Sequence, residues 1–227
     1  MQNKAENKLK HNIPCNAPSY PMIRIEIENI IKEFHLDRSR IFEVSHLKYA
    51  DIIRQIERTF VKNAGPLHWS NIDYRFNPAL TINTQYIGNH RRWYQLLHKI
   101  IPDTAHYVLF EDTVNFQPKY WVYEMFPNEI ITVIDECCGL NDFYIVSQKY
   151  KWLISECHEE IAYFVGDGID ISLTQKCNSQ IELLTEQIKE KEGITQPLEG
   201  TDFQEWAHQV NEINWRAEEI VLAQYLK

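Results

Sequence analysis

The sequence predicts an α+β fold: an antiparallel sheet of four to five strands flanked by N- and C-terminal helices. Three observations lead there. Apolar residues recur at helical spacing before residue 103 and again beyond residue 170. Residues 103–170 instead carry short aromatic and β-branched runs separated by turn residues. The charge balance changes sign at the same place. Residues 1–102 hold 15 basic and 9 acidic side chains, residues 103–170 hold 3 and 13, and residues 171–227 hold 5 and 10. The chain is therefore read as a flexible segment, residues 1–20, followed by a single α+β domain, 21–227. That domain is helical over 22–102, sheet over 103–170 and helical over 171–227.

Each element has its own justification. Residues 1–20 are polar and contain Pro14 and Pro18, a composition that buries little. Ile23, Ile27, Ile30, Ile31 and Phe34 share one helical face, although Ile23, Ile25 and Ile27 also alternate as in a strand. Residues 41–44 form a short extended piece. Ser45 is placed as the N-cap of a helix through Val61 that buries Ile52, Ile53, Ile56 and Phe60, with Gly65-Pro66 as its stop. Residues 65–88 have no period and read as a long loop with short strands. Trp93, Leu96, Leu97 and Ile100 mark a helix over residues 89–100, ended by Pro102.

AHYVLFE (105–111) and KYWVYEM (119–125) read as a hairpin, and DFYIVS (142–147) with YKWLISEC (150–157) as a second. Between them Pro127 opens a helix with Ile130, Ile131, Ile134, Cys137 and Cys138 inward and Gly139 at its C-cap; the run ITVI argues for a strand instead. EIAYFV (160–165) is a fifth strand ending at Gly166-Asp167-Gly168. One helix spans residues 172–192 with Cys177, Ile181, Leu184 and Ile188 inward. After a linker, Thr201-x-x-Gln204 has the form of a capping box. Phe203, Trp206, Val210, Ile213, Ala217 and Ile220 then repeat at spacings of 3 and 4, either as a terminal helix packed on the domain or as a homodimerisation seam.

Composition excludes several functions. Apolar residues make up 44% and charged residues 24%, ordinary for a globular chain, but there are 7 glycines where average usage gives about sixteen. Few glycines leave few places where backbone approaches a phosphate closely. No GxGxxG, GxxxxGK[ST], HExxH, GxSxG or CxxC occurs. No apolar run reaches the roughly 18 residues of a membrane span. The polar start argues against a secretory signal, and five cysteines, two of them adjacent, do not make a disulfide framework. A cytoplasmic protein with reduced thiols is expected. His90-Arg91-Arg92-Trp93-Tyr94 is too short a basic cluster for nucleic acid. No cofactor is expected.

Two polar clusters carry candidate chemistry. In Glu156-Cys157-His158-Glu159-Glu160, strand alternation puts Glu156, His158 and Glu160 on one face, a general base with carboxylate neighbours, and turns Cys157 away from it. Glu111-Asp112 and Asp135-Glu136 are paired carboxylates suited to acid–base work or a divalent ion, and His158 with Asp135 is the candidate metal pair. For both clusters the competing reading is a solvated surface. Asp167 and Asp170 read as a turn, lacking the other ligands of a calcium loop.

Residues 143–166, FYIVSQKYKWLISECHEEIAYFVG, resemble the C-terminal part of an uncharacterised family of small bacterial proteins, some of which lie among genes of toxin–immunity and defence type. The resemblance covers an "IV" strand, a turn, an aromatic-Lys-Trp-Leu strand and a His with acidic neighbours. Members favour a doubled His where this chain has His158-Glu159, a departure that weakens a metal or catalytic role there. The resemblance brings no functional residues with it.

The leading expectation is a non-catalytic binding protein, an immunity-type inhibitor in its specific form, that engages a basic protein partner through an acidic, aromatic surface. Glu111, Asp112, Tyr120, Tyr123, Glu156, Glu159 and Glu160 are its expected contacts. The alternative is a metal-dependent hydrolase or nucleotide-processing enzyme using His158, Glu156 and Glu160.

Overall fold

The computed structural model describes residues 22–73, 92–112, 118–158, 161–169, 171–194 and 203–227, and the backbone of 84–88. The predicted flexible segment 1–20 lies outside these residues. The fold is α+β. Helix α1 (Ile23–Glu33) buries Ile23, Ile27, Ile30 and Ile31, so helical spacing wins over the local alternation. Strand β1 is Ile41–Glu43 and helix α2 is His46–Phe60. Ser45 stands at the predicted N-cap position but makes no side-chain capping bond. Val61 pairs with Ile72 in an isolated bridge, and strand β2 (Thr84–Gly88) follows.

The predicted helix over 89–100 is a correction. Residues 89–91 lie outside the described residues, and the rest is a 3-10 turn, Trp93–Leu96, running into a single α-helical turn, α3 (Leu97–Ile100). Its four stripe residues are nonetheless all buried. Strands β3 (His106–Glu111) and β4 (Tyr120–Met125) pair antiparallel, with His106 opposite Met125 and Glu111 opposite Tyr120. Helix α4 (Pro127–Glu136) starts on its proline. It stops before the expected Gly139, because the Cys138 amide donates to Glu26 Oε1 of α1 at 2.6 Å. Cys137 is buried as expected, whereas Cys138, expected inward, is exposed. Strands β5 (Phe143–Ser147), β6 (Trp152–Glu156) and β7 (Ala162–Gly166) follow as expected.

The sheet has seven strands in the order β1-β4-β3-β5-β6-β7-β2, every pair antiparallel. The middle of the chain supplies five of them. The two edges are recruited from elsewhere, β1 from between the first two helices and β2 from the segment read as a long loop with short strands. Every residue of β5 is buried. Neighbouring side chains on a strand point to opposite faces, so both faces are covered there, which is why the run reads as continuous apolar rather than alternating.

Helices α5 (Ser172–Glu192) and α6 (Phe203–Tyr225) pack side by side as a hairpin. Gly193, at φ +70°, terminates α5, and the Ile194 amide reaches back to the Lys189 carbonyl. Leu96, Cys177, Ile181, Ala217, Val221 and Leu222 form a small core separate from the main one. Ile213 and Ala217 of the predicted seam turn inward, while Phe203 and Ile220 face solvent, so the helix spends part of its apolar stripe within the chain. Among the described residues, no helix is long and apolar enough to cross a membrane.

Candidate functional site

The sheet register gathers most of the predicted site residues at one end. Glu111 closes β3 opposite Tyr120 at the start of β4, and Phe143 opens β5 opposite Glu156 at the end of β6. The side chains, however, are used internally. Asp112 is buried and accepts from Trp121 Nε1 at 2.8 Å. Tyr120 is buried and donates its hydroxyl to the Leu67 carbonyl at 2.7 Å. Tyr123 is fully buried, edge-on to Phe110. These three are interior residues, a correction to their reading as partner contacts. Glu111 accepts from Asn141 Nδ2 at 3.0 Å and pairs with Lys119 at 3.5 Å. Glu156 accepts from the buried indole N–H of Trp93. Glu159 and Glu160 lie outside the described residues.

His158 is not oriented by Glu156. The chain turns after β6, with the Cys157 amide bonded to the Ile161 carbonyl at 3.2 Å. This places both the His158 amide (3.1 Å) and its Nδ1 (3.2 Å) on Asp142 Oδ1. Asp142 is buried, whereas the His158 ring is half exposed and meets Trp69 edge-on. A neutral imidazole donating from Nδ1 to this carboxylate keeps its lone pair on Nε2, the form a general base needs. Cys157 is buried.

Asp135 accepts from the Tyr94 hydroxyl at 2.7 Å on α4, while the His158 imidazole has Asp142 as its carboxylate partner. Among the described residues, no group of three His, Cys, Asp or Glu side chains is arranged to hold a metal ion. Burial, then Tyr120, Asp142 and Glu111, push the Tyr144 hydroxyl far above its ordinary range, so this phenol stays protonated.

Among the described residues, one cation of the basic part reaches the acidic part, and neutral donors hold three of its carboxylates. Arg40 of the basic part joins Asp103 at 2.9 Å and Glu129 at 3.0 Å. Indole and phenol donors occupy Asp112, Asp135 and Glu156. Asp142, the Trp93 donor and the Trp69 ring were not identified as site residues from sequence, since the Asp142–His158 pair spans 16 residues and nothing local announces it.

A concave region lies between α5 and α6, a groove of about 290 Å³. Ile181, Thr185 and Glu218 are its buried residues, and Glu182, Asn214 and Trp215 are among the exposed ones.

Residues 19–176, more than half of the chain, match the family of unknown function DUF6756. The chain belongs to the DUF6756 family. The DUF6756 match runs from before α1 through the whole sheet into the first turns of α5. This agrees with the resemblance of residues 143–166 to an uncharacterised family. Residues 171–226 are similar to a different family, the transposon-encoded protein TnpV. The two matches meet where α5 begins, and there packing also passes from the sheet's core to the hairpin's own core. No curated protein and no solved structure matches the chain.

Proposed function

We propose that this DUF6756 member is a non-catalytic binding protein whose acidic, aromatic contact surface lies on the α5–α6 hairpin and engages a basic partner protein. One observation supports this above others: half of the exposed large apolar side chains among the described residues, namely Leu183, Phe203, Trp215 and Ile220, sit on the hairpin. They lie in a segment with 10 acidic and 5 basic residues. Exposed aromatic and aliphatic anchors within a negative field suit a basic amphipathic segment. Net charge −9 disfavours a second copy of the same chain as the occupant. The resemblance of residues 143–166 supports an immunity-type inhibitor as the specific form. The similarity to TnpV supports treating the hairpin as a unit with its own role.

The test is calorimetric titration of the purified chain with the purified product of the adjoining gene and with a Lys/Arg-bearing amphipathic peptide, at low and high salt. Salt-sensitive binding, weakened by Glu182→Lys and Glu212→Lys together, is expected. A complex indifferent to salt and to both reversals overturns the proposal.

A second reading, a hydrolase working through His158, is supported by the Asp142–His158 pair alone. It requires ester or phosphoester hydrolysis that His158→Gln abolishes, and its metal-dependent form requires stoichiometric metal by elemental analysis.

A further inference from the structure

We infer that the groove between α5 and α6 is a pocket for a guanidinium group, an arginine side chain of the basic partner; the inference rests on the hairpin reading above. At about 290 Å³ the groove sits at the small end of ligand sites, which run roughly 300–1,000 Å³. That is room for one long side chain.

Its acceptors Thr185, Glu218 and Glu182 stand among the amide side chains of Asn178, Asn211 and Asn214. Thr185 is 4% exposed, lines the groove, and its Oγ1 has no hydrogen-bond partner. Buried hydroxyls are rarely left so. Beside it, Glu218 is also 4% exposed, its carboxylate fixed by the Arg92 amide at 2.8 Å and Arg92 Nε at 3.3 Å. Arg92 matches the charge of Glu218, and Lys189 at 2.9 Å matches that of Glu186. Glu182, exposed at the rim, carries the negative charge an incoming cation meets.

Trp215, 38% exposed, supplies an aromatic wall. A guanidinium has five donors, no acceptor and a planar face that stacks on indole, so it suits a site of carboxylate, hydroxyl and indole. The protein already pairs a guanidinium with carboxylate and indole internally, since the Arg92 guanidinium lies 5.7 Å from the Trp215 ring centroid while donating to Glu218. A lysine ammonium offers charge without the planar fork.

The test titrates the full chain with a basic amphipathic peptide bearing arginines, with the same peptide bearing lysines instead, and with agmatine. The arginine peptide is expected to bind about tenfold tighter than the lysine peptide. Thr185→Val and Glu182→Gln, each checked for native circular dichroism, are expected to erase most of that preference. Equal binding of the two peptides, or a preference untouched by both variants, overturns the pocket while leaving the hairpin reading intact. If neither peptide binds, the hairpin reading fails. Agmatine then decides for the pocket: binding lost in Thr185→Val upholds it, and no binding overturns it.

Discussion

Replacing Gly166 by alanine tests the sheet's construction at a single atom. Gly166 ends β7 opposite Trp152 of β6 with φ +110°. A Cβ there would stand 2.2 Å from the Lys151 carbonyl oxygen and 2.7 Å from Trp152 Cα. Both are backbone atoms, so no rotamer relieves the clash. Nor can the Lys151 carbonyl swing away freely, because it accepts the Asp167 amide at 3.0 Å. Gly168 is the internal control, with φ +93° and nothing within 4 Å of a Cβ. Gly168→Ala carries conformational strain of about 1–3 kcal/mol, offset by about 0.4–1 kcal/mol from the stiffer unfolded chain. Gly166→Ala carries the same strain plus about 1–3 kcal/mol for forcing two strands apart. At about 2–4 °C per kcal/mol for a chain of this size, Gly166→Ala should melt roughly 10 °C below wild type and well below Gly168→Ala. Thermal unfolding followed by circular dichroism measures both. Midpoints for the two variants within about 2 °C of each other would refute the argument from the strand contact.

Other consequences are as direct. Tyr94→Phe removes the donor to Asp135 and should lower stability by about 1.5–3 kcal/mol in urea unfolding, the worth of a bond to a charged group. His106 donates from Nε2 to the Pro102 carbonyl and its Nδ1 is buried without a partner, so burial holds its pKa below the usual 6.5. The unfolded chain therefore takes up the proton first; stability is full above about pH 6.5 and falls as pH drops below that value. His106→Gln should flatten the difference between urea midpoints at pH 7.5 and 5.5. Ala217→Asp puts a charge into the hairpin's small core; amide exchange should become fast in α5 and α6 and stay slow in β3 and β5.

Local pattern exposed the elements whose packing is dictated locally. Strands β3 to β7 stand between turn residues, and the inner face of α5 repeats cleanly, so both were legible. Pairing partners were not. β1 joins β4 across about eighty residues of sequence, and no property of Ile41-Phe42-Glu43 names that partner. Trp93, Leu96, Leu97 and Ile100 announced burial correctly, but a 3-10 turn satisfies the same inward spacing over so short a piece. At the sheet end, composition could not separate an acidic, aromatic surface from an acidic, aromatic interior. A tyrosine or tryptophan beside a carboxylate makes a good contact pair and an equally good buried hydrogen bond, as Trp121 with Asp112 shows. The hairpin's helical stripe was visible, yet only the partner helix decided that Ile213 and Ala217 turn in while Phe203 and Ile220 stay out.

The brevity of β1 has a consequence for behaviour at high concentration. A sheet's outermost strand offers unpaired amides and carbonyls to any passing chain. Here that strand is three residues long, and Glu43 within it is held by Arg24 at 2.6 Å and His46 at 2.8 Å. So short and charged a rim gives a foreign strand little to grip. A chain cut after residue 43 would instead bare the flank of Tyr120–Met125, a run of aromatic and branched residues with one charge, and would be expected to aggregate edge to edge.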